Sequence, residues 1–135
     1  MLQSYLIEIA GGTNPAADLN TNELWPVVGV EQIFEWDPDF IFVTTYGFTD
    51  YTVDDLLNDS LWANTSAVKN NRIMPTPCNL ESWEMPTPTS ALGVLWMIQK
   101  MYPEVYSDAE LEADVKAYYD ILYPGNTLTR DILGY

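Results

Sequence analysis

Asp37-Pro38-Asp39-Phe40-Ile41-Phe42-Val43-Thr44 decides the fold. Its second half is aromatic and β-branched without the alternation of a half-exposed strand. Such a run fits a strand buried on both faces, as in a parallel sheet. Its first half ends the element before it, because the residue preceding a proline resists helical geometry. That element reads as a short helix over residues 30–36, with Val30, Ile33 and Phe34 as its buried stripe. Farther upstream, residues 13–29 are polar and Pro-interrupted, a long loop carrying Trp25 and Pro26. At the start of the chain Leu2, Leu6 and Ile9 fall at helical spacing, and Gly11-Gly12 follows where a C-cap belongs. No N-cap precedes this helix, so the sequence reads as beginning inside an element, as a piece of a longer protein would.

Downstream, residues 45–49 form a loop, and Thr52 with Asp55 makes a capping box for a short helix through Leu57. Asn70-Asn71 turns the chain into a second strand around Ile73. Residues 77–88 are a Pro-rich loop holding Glu81, Trp83, Glu84 and Met85. A strong helix is predicted over residues 89–102, with Leu92, Leu95, Trp96, Ile98 and Met101 on its buried side. Ser107 and Glu110 make a second capping box, opening a helix whose stripe is Leu111, Val115, Tyr118 and Leu122. Pro124-Gly125 stops it, and residues 127–133 form a last short helix. The order is that of an α/β fold: a three-layer lobe with a small, mainly parallel sheet flanked by helices. In such sheets ligands sit beyond the carboxyl ends of the strands. Residues 45–50 and 77–86 meet that description, and the loop carrying Trp25 could reach the same edge.

Composition narrows the function. Of 135 residues, 47% are apolar, too many for an acidic disordered tail. With 5 Lys+Arg against 20 Asp+Glu the formal net charge is −15. That excludes nucleic acid and anionic membrane as partners, since phosphate binding needs clustered cations. No apolar run approaches the roughly 18 residues of a membrane span, and no signal peptide opens the sequence. The lone Cys78 excludes an internal disulfide and a Cys-based zinc site, and with no Lys or His beside it in sequence it reads as inert. The absence of His removes the Ser-His-Asp and Cys-His devices, most catalytic zinc sites and the commonest general base. Neither an enzyme nor a bound cofactor is implied.

Trp25, Tyr46, Phe48 and Trp83 lie outside the periodic elements, where loop aromatics supply stacking surface for planar or sugar-like ligands. The competing reading is that each folds back over the core. Trp36, Trp62 and Trp96 sit in helical stripes or turns and belong to the core. Glu81 and Glu84 flank Trp83, but among 20 acidic residues a solvated surface explains them better than a metal or an acid–base pair. Asp37, Asp39, Asp54 and Asp55 lack the spacing of a calcium loop and read as helix-terminus and capping residues.

The series Ala10-Gly11-Gly12-Thr13-Asn14, Val28-Gly29-Val30-Glu31-Gln32-Ile33 and Asp37-Pro38-Asp39-Phe40-Ile41-Phe42 resembles the C-terminal lobe of a family of periplasmic binding proteins. These are the solute receptors of ATP-binding-cassette importers for ferric siderophores, haem and cobalamin. Leu61-Trp62, Ala67 to Ile73, Leu92 to Trp96, and Met101-Tyr102-Pro103-Glu104 continue the likeness in order. The resemblance implies a two-lobed receptor with a helical interlobe linker. Residues 1–135 would be the single C-terminal lobe, with the N-terminal lobe and linker helix absent. It implies an extracytoplasmic protein, periplasmic or lipid-anchored, that captures a metal chelate and performs no bond chemistry. Trp25, Tyr46 and Trp83, with Glu84 and Met85, would contact the ligand. Glu31 would dock on the permease, and self-association of the truncated piece is left open. No Arg or His stands in the 77–88 loop, so positive charge for an anionic chelate would have to come from the other lobe. An oxyanion receptor of the same fold, an aromatic-platform carbohydrate module and an enzyme domain of the nitrogenase or chelatase type are the alternatives.

Overall fold

In the computed structural model, which describes residues 2–19, 23, 25–44 and 51–135, Asp37 separates α2 (Val30–Trp36) from β1 (Ile41–Val43). It does so in a left-handed conformation, φ 38°, with its N–H on Ile33 O at 2.9 Å. Its carboxylate meanwhile accepts from Ser66 N at 2.7 Å and Ser66 Oγ at 2.8 Å. One aspartate therefore ends α2 and caps the first turn of α4 (Ser66–Lys69).

The chain divides into two units, residues 14–76, and residues 2–13 with 77–135. In the first unit β1 runs parallel to β2 (Ile73–Pro75), pairing Ile41 with Ile73, Phe42 with Met74 and Val43 with Pro75. The ladder extends past both ends, Ile41 N donating to Arg72 O and Thr76 N to Val43 O, each at 2.9 Å. Parallel strands need a crossover, and α3 (Val53–Asn58) and α4 lie within it. Val43, Ala67 and Ile73 form the core, with Ile41, Val53, Leu56, Leu57 and Val68 packed against them. The Thr52–Asp55 capping box is present. Two expectations are corrected. α2 has no buried residue, and Phe34 is exposed; at seven residues, and ended at Asp37, the helix does not lay its stripe against a core. Trp36 and Trp62 are half-buried rather than core.

The second unit is helical: α1 (Leu2–Ile9), α5 (Ser90–Met101), α6 (Asp108–Leu122) and α7 (Arg130–Leu133). α1 packs on α5, and α5 on α6. Gly11, at φ 84°, donates to Glu8 O at 3.0 Å and Gly12 to Ile7 O at 2.9 Å. This is a Schellman stop, and the positive φ is why glycine stands there. Tyr102 Oη then donates to Gly11 O at 2.8 Å, tying the stop to the end of α5. Leu6 and Ala10 are buried, whereas Ile9 is exposed, contrary to its place in the expected stripe. The stripe of α6 is Leu111, Val115 and Tyr119, spaced by four. Tyr118 is only half-buried and Leu122 is exposed, so the expected stripe drifts off the contact line. Arg130 of α7 reaches back to Asp108 at 2.8 Å and Glu112 at 3.5 Å, and covers the Tyr135 ring at 4.9 Å.

Candidate functional site

The carboxyl edge of the two-stranded sheet is the place a ligand is expected, and it is lined by threonine. Thr44 follows β1 and Thr76 follows β2, and the register puts them side by side, one step beyond the Val43–Pro75 pair. Thr76 is 2% exposed, its N–H is used on Val43 O, and its Oγ1 has no hydrogen-bond partner. Tyr46 and Phe48, expected to supply stacking surface here, lie outside the described residues. Trp25 is 56% exposed, next to Pro26 and the fully open Val27. Glu31 is exposed in the first turn of α2, where its charge also suits the helix dipole.

The 77–88 loop of the second unit is arranged otherwise. Trp83 is 0% exposed; its indole N–H donates to Tyr119 Oη at 3.1 Å and its ring packs 5.1 Å from that of Tyr135. It offers no face for stacking and instead anchors the loop. Glycine makes that possible: a Cβ on Gly93 would stand 2.1 Å from Trp83 O, so α5 accepts the loop backbone only where a side chain is missing. Glu84 is buried as well, and Met85 is half-buried. Burial pushes the Tyr119 phenol above its usual range, and the neighbouring Glu81 carboxylate adds to the shift. Cys78 is half-buried in the same loop. Among the described residues no three His, Cys, Asp or Glu side chains gather as metal ligands.

Four of the five cations meet a ring or a carboxylate. Arg72 lies 4.8 Å above the Phe40 ring, and Lys100 faces Trp96 at 6.0 Å, with burial lowering its pKa. Lys116 pairs with Asp120, Arg130 with Asp108, and Lys69 stabilises the Asp37 carboxylate. Sequence reasoning passed over the threonines, although a Thr directly after each strand was the signal. It also passed over Tyr119, whose role depends on a partner 36 residues away.

Comparison with known proteins settles the kinship. A family model described as periplasmic binding protein matches residues 2–80, more than half of the chain. The chain belongs to the periplasmic binding protein family. The family is one of binding proteins and not of enzymes, so the carbohydrate-module and enzyme-domain alternatives give way. The molybdate-binding protein MolA of Haemophilus influenzae is 34% identical over 119 residues, 87% of this chain and 33% of that protein. The structure of MolA bound to molybdate superposes with a TM-score of 0.77 at 30% identity, covering 94% of this chain and 38% of that one. A periplasmic solute-binding protein from Veillonella parvula gives a TM-score of 0.83 at 31% identity, covering 98% of this chain and 41% of that one. Helicobacter pylori CeuE with Ni(II) bound, at 24% identity and a TM-score of 0.74, shows the fold alone. The chain thus spans between a third and about two fifths of the length of these relatives. The α/β lobe with a small parallel sheet expected from the sequence is the architecture these proteins share with it.

Proposed function

We propose that this chain is the C-terminal lobe of an extracytoplasmic receptor that captures a small metal-containing solute and delivers it to the permease of an ATP-binding-cassette importer. The observation that carries the reading is its kinship with a molybdate-binding protein over 87% of its own length. The favoured ligand is a tetrahedral oxyanion of the molybdate type. A ferric siderophore, haem or cobalamin is the second reading, favoured by the exposed indole of Trp25. Glu31, exposed and unburdened by packing, is the proposed permease contact.

The test is calorimetric titration of the full polypeptide carrying this chain with sodium molybdate, sodium sulfate, a ferric siderophore, haem and cobalamin. Saturable binding of molybdate at micromolar or lower concentration, with sulfate weaker, is the expected result. Binding of a chelate alone, weakened by Trp25→Ala, would replace the oxyanion by the second reading. No response to any of the five would remove the metal-solute assignment and leave the family membership standing.

A further inference from the structure

In the second unit the 77–88 loop, which follows β2 in the chain, contains neither helix nor strand. Loops in that position are the ones that meet ligands in α/β folds. We propose that residues 129–135 form a strap across this loop, with Arg130 as its buckle. The order of the loop is then set by α7 and Tyr135 as well as by its own turns.

The strap meets the loop at Asn79 and at Trp83. Asn79 Nδ2 donates to Asp131 O at 3.2 Å. Gly134, at φ 81°, comes so close that a Cβ there would stand 2.7 Å from Asn79 Cγ. Tyr135 lays its ring 5.1 Å from that of Trp83, which is 0% exposed. Leu133, 1% exposed, roots the strap in the core. The buckle is a single side chain. Arg130 sets Nη1 3.0 Å from Asp108 Oδ1 and Nη2 2.8 Å from Asp108 Oδ2, a two-pronged pairing with the first turn of α6. It also donates to Asp108 O at 3.2 Å and pairs with Glu112 at 3.5 Å. Its guanidinium lies 4.9 Å from the centre of the Tyr135 ring. A planar cation with several donors can serve carboxylate, carbonyl and ring together, which a lysine cannot. The contacts run in series, from α6 through Arg130 and Tyr135 to Trp83. Loosening Arg130 therefore releases the ring packed on Trp83 and, with it, the loop.

Hydrogen–deuterium exchange, read by mass spectrometry on the full polypeptide carrying this chain, tests the strap without ligand. The variants are Arg130→Gln, which removes the buckle, and Tyr135→Ala, which removes the ring packed on Trp83. Lys116→Gln is the control, since it makes the same charge change at an exposed ion pair within α6. Amides of residues 78–87 should exchange roughly two- to tenfold faster in Arg130→Gln, the range for losing a paired and stacked surface charge. The change in Tyr135→Ala should be at least as large, with α5 unchanged in both. Lys116→Gln should match the parent throughout. Parental exchange in the loop of both strap variants overturns the proposal. So does equal acceleration of loop and α5, which signals a general loss of stability, or equal acceleration in Arg130→Gln and Lys116→Gln. Acceleration in Tyr135→Ala alone overturns Arg130 as the buckle. None of these outcomes bears on the identity of the ligand, so the receptor reading stands or falls separately.

Discussion

Replacing Tyr119 by Phe tests whether the 77–88 loop is held by one buried hydrogen bond. The Trp83 indole N–H donates to Tyr119 Oη at 3.1 Å, in a place where Trp83 is 0% and Tyr119 3% exposed. Phe fills the volume of the ring, so the loss is confined to the hydroxyl. Water does not reach the orphaned N–H, and the cost is the full desolvation of an unpaired donor, about 1–3 kcal/mol. For a chain of this size about 2 kcal/mol lowers the melting temperature by roughly 6–10 °C. Urea unfolding followed by far-ultraviolet circular dichroism reads the change without interference from altered indole emission. Trp83→Phe combined with Tyr119→Phe removes donor and acceptor together, and the pair should cost less than the sum of the single changes. A Tyr119→Phe protein within about 0.5 kcal/mol of the parent would refute the reasoning.

Two further outcomes follow from the same packing. Gly93→Ala sets a Cβ 2.1 Å from Trp83 O, so backbone must move; a loss of about 1–3 kcal/mol in thermal unfolding is expected, and an unchanged melting temperature would contradict the close approach. Asp37 is held below the usual carboxylate range by the Ser66 N–H first and the Ser66 hydroxyl second. Its folded pKa is depressed, so its contribution is complete above about pH 4 and fades as pH falls through the folded value. Asp37→Asn should be less stable than the parent at pH 7, with the gap narrowing below about pH 3; a gap constant down to pH 2.5 in chemical unfolding would count against the cap.

β1 was legible because Phe40 to Thr44 is apolar without alternation, and β2 because Asn70-Asn71 turns the chain ahead of Ile73; of β1, though, only Val43 is fully buried, so the expectation of burial on both faces is not met. The capping boxes at Thr52 and Ser107 were legible because their chemistry is complete within four residues. α4 was not, since half of its N-terminal capping comes from Asp37, 29 residues away. The misplaced stripes of α1 and α6 have a similar origin. Apolar spacing says which face can be buried, but the neighbour decides how much of it is, and Ile9 and Leu122 lie past the edge of the contact. Trp83 shows the same limit at the site. Loop position made its indole look available, and only Gly93 on α5, ten residues on, explains why it is buried. Trp25, by contrast, stays open, at 56% exposure.

Charge decides how the two proposed ligand classes can be told apart on this chain. With 20 acidic residues against 5 basic ones, an oxyanion gains no long-range attraction from these 135 residues. The long-range contribution of these residues to an anion is repulsive, and it weakens as added salt screens the net charge of −15. A planar chelate depends less on this charge. It draws instead on apolar ring area, which Trp25 offers at 56% exposure. The response to added salt and to Trp25→Ala therefore separates the ligands by mechanism: the anion's affinity follows the salt, and the chelate's follows the indole.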